Sequence, residues 1–135
     1  MDRLTDTLGR AAPVILSLLR IVVGLLFLQH GLVKLFGFPM ASPTPPAMFS
    51  QIWFAGAMEI VGGILLVLGL FTRPVAFLVS GEMAFAYFIG HHPRSIYPIQ
   101  NGGSLAILYC FVFFYLVFAG AGPLSLDALR GRRAA

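Results

Sequence analysis

A single cysteine, Cys110, in 135 residues excludes an intramolecular disulfide, a CxxC redox pair and a cysteine metal cage. It lies in an apolar run, where a thiolate is disfavoured, and reads as packing. Charge is just as scarce: 10% of residues are charged, against ~25% in an ordinary soluble domain. Only five residues are acidic, so there is little carboxylate to build a hydrolytic dyad or an oxygen-ligated metal site. Block-like Lys/Arg runs are missing too, which excludes a nucleic-acid surface despite the net charge of +4. There is no phosphate loop, haem motif or nucleophile–base pair, and hence no self-contained catalytic site.

What remains is apolar. Hydrophobic residues make up 59% of the chain, and the mean hydropathy is +0.90. Such a chain has little surface to offer water and predicts an integral membrane protein of one domain. The run Val14 to Phe36, VILSLLRIVVGLLFLQHGLVKLF, is long enough to cross the ~30 Å hydrocarbon layer at ~1.5 Å per residue. Arg3 and Arg10 precede it as in a signal peptide, but the run is too long for an h-region and no A-x-A site follows. It is therefore expected to stay as an uncleaved span.

Four spans are expected: about 13–36, 47–70, 74–90 and 102–120. Pro13 suits a first helical turn. The segment 37–46, with four prolines, breaks the first span from the second. Thr72-Arg73-Pro74 is a tight connection, and 91–103 is a second loop on the side of 37–46. The fold class is all-α, a transmembrane up-down four-helix bundle over 13–122, with a polar segment at 1–12 and a basic tail at 123–135. The side holding both termini carries Arg3, Arg10, Arg73, Arg130, Arg132 and Arg133; the other carries Lys34 and Arg94. The positive-inside rule puts both termini in the cytoplasm. With bacterial relatives implied below, the membrane is the inner one.

Charges inside the spans are the candidate functional residues. On a helical wheel of ~100° per residue, Arg20, Gly24, Phe27, Gly31 and Lys34 share one stripe. Counting at ~1.5 Å per residue puts Arg20, Glu59 and Glu82 ~10–16 Å from the cytoplasmic side. A charge at mid-bilayer costs ~2.5–3.5 kcal/mol, so the three are expected to turn inward, with Arg20 bridging to one or both carboxylates. Two readings stay open for this interior cluster: a clamp that fixes helix register, or a proton or ligand site. An outer rim collects His30, Lys34, His91, His92, Arg94 and Asn101. The rim is read as ordinary interfacial residues, a place for a quinone headgroup or anion, or a partner contact. The histidine spacing is not that of a metal site, and no metal is assigned. The aromatics Phe111, Phe113, Phe114 and Phe118 are read as lipid-facing bulk or as a contact face for a larger complex or an isoprenoid tail; other membrane subunits or self-association are the expected protein partners.

Three stretches carry a resemblance: LLRIVVGLLFLQHGLVKLFG, then AGAMEIVGGILLVLGLFTRPVAFLVSGEMAFAYFIGHHPRSIYPIQNGG, then LYCFVFFYLVFAGAGPLSLD. Together, over about Leu18 to Asp127, they resemble the DoxX family of small four-span membrane proteins. The specific marks are His30-Gly31 with Lys34, Glu59 before Gly62-Gly63, Thr72-Arg73, and Asn101-Gly102-Gly103. The resemblance implies a membrane subunit associated with a quinone-linked or thiol-redox complex in the bacterial inner membrane. Quinone is the one cofactor it suggests, and none is intrinsic. The alternative is a purely structural subunit of a larger membrane assembly, and a proton or solute transporter is a weaker third. Arg20, His30, Lys34, Glu59, Arg73, Glu82 and Asn101 match family positions without agreed catalytic roles. Ser104 departs from relatives that place an acid directly after Asn-Gly-Gly.

Overall fold

The computed structural model describes residues 2–134, and the described residues are helical, with no strand. Helix α1 is Asp2–Phe36, 35 residues and so ~52 Å long. It starts well before Pro13, where the sequence predicts only a polar lead-in. Pro13 removes the N–H that the Gly9 carbonyl needs. Gly9 is exposed with open space beside it, so water can serve that carbonyl and the helix passes through the proline.

Helix α2 is Gln51–Leu68, shorter than the predicted 47–70. Ser50 caps its start, accepting from the Trp53 N–H at 3.3 Å. Gly69, at φ +66°, ends it, and Leu70 N–H bonds Leu65 C=O at 3.0 Å, the Schellman closure. A side chain at Gly69 would also strike the Arg20 guanidinium, 2.8 Å from its Nη1.

Glycines set how α1 meets α2. A Cβ on Gly31 would lie 2.7 Å from the Gly56 carbonyl, and one on Gly63 would lie 2.8 Å from Leu28 Cβ. Gly24 faces Val67 and the Gly63 carbonyl. The two helices therefore touch backbone to backbone, antiparallel, as small residues allow in membrane helix pairs.

Helix α3, Thr72–Ala86, runs into a π turn at Tyr87–His91 and a 3₁₀ turn at His92–Arg94. The one-turn helix α4, Pro98–Asn101, falls within the segment predicted as loop. Helix α5 is Ser104–Ala119. Helix α6, Leu126–Ala134, lies within the expected basic tail. Its cap is Ser125, whose Oγ accepts from the Ala128 N–H at 3.1 Å.

α1 lies along α2, and α3 lies along α5. Between the two pairs sits a core of Phe27, Leu66, Ala76, Val79, Met83, Tyr109, Phe113 and Leu116. Phe27 joins them, its ring edge-on to Phe113 at 4.8 Å and to Tyr109 at 5.5 Å. Phe113 is thus core, not the outward aromatic expected from sequence, whereas Phe111, Phe114 and Phe118 do face outward. Among the described residues α1 and α2 are long and apolar enough to cross a membrane, and only 22% of α1's most apolar stretch is buried. The core helix of a soluble protein would be mostly buried. Here Leu18, Val22, Leu25, Val61, Phe77 and Leu108 form an apolar exterior instead.

Candidate functional site

One end of the molecule, here the base, holds the α2–α3 turn, the α5–α6 loop and α6. Arg20 is fully buried there. It donates from Nε to Leu66 C=O at 2.8 Å, from Nη2 to Leu124 C=O at 2.7 Å, and from Nη1 to Ala121 C=O. These carbonyls belong to a helix end and a loop, and a cation at a helix C-terminus also meets the negative end of its dipole. Arg73 does the same for α5, donating to Val117 and Phe118 carbonyls at 2.8 and 2.6 Å. Asp127 of α6 caps the start of α3, accepting from the Phe71 and Thr72 N–H groups at 2.9 Å each. Burial pushes the Asp127 carboxyl up, but hydrogen bonds from Thr72 and Phe71 and the nearby Arg130 charge outweigh this and hold it below the usual carboxylate range.

The expected bridge from Arg20 to Glu59 and Glu82 is therefore not made. Depth explains it. Arg20 sits level with Leu66, and Glu59 lies seven residues earlier on α2, ~10 Å along the axis. Backbone carbonyls are nearer and satisfy the fork completely.

Glu59 turns to the opposite end, the mouth. Its side chain is buried, and Lys34 Nζ donates to its Oε1 at 2.5 Å. The glycine seam creates this pairing: Lys34 Cβ lies over Gly56, one turn from Glu59, and its stem reaches inward rather than snorkelling out. The pair borders a cavity of about 290 Å³ lined by Phe27, His30, Lys34, Glu59, Met83, Ala86, His91, Gly102, Leu105, Ala106 and Tyr109. His30 meets the Tyr109 ring edge-on at 5.9 Å. His91 Nδ1 lies 3.0 Å from the Asn101 carbonyl. A carbonyl only accepts, so Nδ1 carries a proton and donates it there, which leaves Nε2 as the ring's other hydrogen-bonding atom.

Glu82 is near enough to feel the charges of both Glu59 and Lys34. Both of its carboxyl oxygens, and Glu59 Oε2, are buried without a hydrogen-bond partner. Buried polar atoms are ordinarily bonded, so three open oxygens in one region mark where exchange with a proton or ligand can occur.

The predicted outer rim divides. His30, Lys34 and His91 line the cavity. His92 and Arg94 are exposed and do not, His92 packing instead against Tyr87 and Phe88. Asn101 is buried but ties the loop: its Nδ2 donates to Ser95 C=O at 2.9 Å and to Tyr87 Oη at 3.3 Å, and its Oδ1 accepts from Gly103 N–H at 2.8 Å. Ser104 is exposed in the first turn of α5. An acid there would meet the helix dipole, not the cavity. Among the described residues no three His, Cys, Asp or Glu side chains come together as a metal set. Sequence reasoning missed Phe27, Met83 and Tyr109 as cavity walls. The signal for Tyr109 is its place with Ala106, Phe113 and Leu116, at helical spacing on the buried face of α5.

A family model described as DoxX matches residues 15–92. An uncharacterized protein of Haemophilus influenzae is 46% identical over 127 residues, covering 90% of this chain and 95% of the relative. The inner membrane protein YphA of Escherichia coli is 35% identical over 129 residues, covering 88% of this chain and 92% of the relative. No solved structure matches the chain.

Proposed function

The chain belongs to the DoxX family, and on that premise we propose that it is a small multi-pass subunit of the bacterial inner membrane whose mouth cavity receives the headgroup of a lipid-soluble quinone. In this reading α1, α2, α3 with its π turn, and α5 are the four spans of an up-down bundle. The base, with Arg73, Arg130, Arg132 and Arg133, faces the cytoplasm in accord with the positive-inside rule. The relative named as an inner membrane protein supports the location.

One observation carries the ligand reading. Buried Glu59 and half-buried Lys34 form an ion pair on the wall of a cavity that also holds His30, His91 and Tyr109, with Glu82 close behind. A quinone carbonyl needs a donor, which Lys34 and Tyr109 Oη offer. A hydroquinone hydroxyl needs an acceptor, which Glu59 Oε2 offers. Protons released or taken up there have Glu82 as a further station. Electrons would come from a partner subunit, so this chain is the membrane component of an oxidoreductase and not an enzyme by itself.

The chain has a single tryptophan, Trp53, on α2 at less than two turns from Glu59. Titrating a short-tailed quinone into protein in nanodiscs should quench its fluorescence saturably, and Glu59→Gln should weaken binding at least tenfold. Unsaturable quenching, or equal affinity in the variant, would refute the quinone reading. That result would favour a structural subunit, for which the outward Phe111, Phe114, Tyr115 and Phe118 of α5 supply a contact face.

A further inference from the structure

The charges at the base have very different fates. Arg20 and Arg73 donate to backbone carbonyls. Asp127 is taken up by the start of α3. Arg130 lies 3.9 Å from Asp127, with its guanidinium 4.6 Å above the Phe71 ring and its side chain more than half exposed. Arg132 and Arg133 are exposed and have no partner among the described residues. The one carboxylate on α6 is already engaged, so the helix presents cationic charge with little to neutralise it.

Its position is as informative as its charge. The Asp127 N–H bonds the Gly69 carbonyl at 2.9 Å. With the two bonds to Phe71 and Thr72, this pins the first turn of α6 against the α2–α3 turn. Phe71, Leu124, Leu126 and Leu129 are exposed apolar side chains around that junction, which places it where hydrocarbon gives way to headgroups. Arg130 and Arg133, one helical turn apart, line an open hollow of about 520 Å³ together with Gly131 and Asp127, the latter engaged with the start of α3. No side chain rises from Gly131, and the space beside it is open.

We propose that the Arg130–Arg133 face of α6 is a docking site for the phosphate headgroup of an anionic phospholipid in the leaflet at the base. The guanidinium fork matches two phosphate oxygens at once, and the Arg130 stack on Phe71 holds one fork at headgroup depth. The Asp127 latch gives the site a fixed place on the fold, whichever ligand the mouth cavity takes.

The test uses the full chain reconstituted in mixed phosphatidylglycerol and phosphatidylethanolamine vesicles, re-extracted in mild detergent, with retained lipid counted by native mass spectrometry. The intact protein should retain phosphatidylglycerol in preference, and raised salt should reduce that preference. Arg130→Gln with Arg133→Gln should lower it by about fivefold for each arginine lost. Arg3→Gln with Arg10→Gln, on the exposed start of α1, should lower it distinctly less than the α6 pair and controls for net charge. Arg133→Gln alone, remote from the Asp127 latch, serves if the double variant elutes as misfolded. Equal retention of the two lipids, or a double variant that is folded and retains as much phosphatidylglycerol, overturns the proposal. A control pair that loses as much as the α6 pair also overturns it, because the effect would then be net charge and not a site.

Discussion

The base and the mouth solve the same problem in opposite ways. Both hold ionisable side chains among apolar helices. At the base the charges end on backbone: buried Arg20 on the end of α2 and the α5–α6 loop, exposed Arg73 on the end of α5, half-buried Asp127 on the start of α3. At the mouth charge meets charge, and oxygens are left over: Glu59 Oε2 and both oxygens of Glu82. Groups consumed by helix ends have nothing to offer a ligand. Groups paired by a single bond, beside a cavity, do. Under the proposed function, the clamp reading of the charges belongs to the base and the ligand-site reading to the mouth.

Substitutions can break this contrast. Arg20→Leu should have the largest effect. It removes three charge-assisted hydrogen bonds, to the Leu66, Ala121 and Leu124 carbonyls, each worth ~1.5–3 kcal/mol. The expected result is loss of monodisperse protein in detergent chromatography; a normal melting curve would mean that the base does not depend on it. Lys34→Met comes next, costing ~3–5 kcal/mol because it leaves Glu59 as an unpaired buried charge. Lys34→Met with Glu59→Gln should recover most of that in thermal melts while quinone binding stays lost. If the double variant were as unstable as the single, the pair would be structural in the same sense as the base.

Asp127→Asn should have a smaller effect, ~1 kcal/mol, as for a weakened helix cap. It also carries a sign. The carboxyl is held below its ordinary value in the folded protein. Its stabilisation is therefore complete above the unfolded value of ~3.9 and is lost as pH falls through the folded one. Melting temperature should drop toward acid in the parent more steeply than in the variant; parallel profiles would show that Asp127 carries no such linkage. Ser104→Asp is the mildest. It should add ~0.3–1 kcal/mol through the α5 dipole and leave cavity binding unchanged. A change in quinone affinity would bring that position into the mouth after all.

The extent to which this was legible in the sequence follows the same division. The helix periodicity and the stripe Arg20, Gly24, Phe27, Gly31 appear in the fold as a buried face. The glycine spacing contains more than a general tendency to pack. Gly24 and Gly31 on α1, and Gly56 and Gly63 on α2, are each seven apart, and pairing them antiparallel brings Lys34 to Glu59. Depth counted from Pro13 misled, because it matched charge to charge and ignored carbonyls. Backbone acceptors at helix ends have no letter in the sequence, so the partners of Arg20 and Arg73 could not be read from composition. The capping of α3 by Asp127 was hidden for the same reason, since it joins residues 55 and 56 positions apart. Asn101, grouped with the outer rim by its place in the loop, is buried, and its three hydrogen bonds hold the turn.

The acceptors of Arg20 also impose an order on biogenesis. Leu66 follows it by 46 residues, Ala121 by 101 and Leu124 by 104. When α1 leaves the ribosome, none of them exists. In the proposed four-span arrangement its guanidinium then carries an uncompensated insertion penalty, up to the ~2.5–3.5 kcal/mol of a mid-bilayer charge, partly relieved when α2 arrives and fully only when the last loop emerges. The first segment synthesised is thus the last to settle. A nascent chain arrested before residue 121 should be held at the insertion machinery and be open to proteolysis, while the same chain with Arg20→Leu should pass into lipid early and then fail to close.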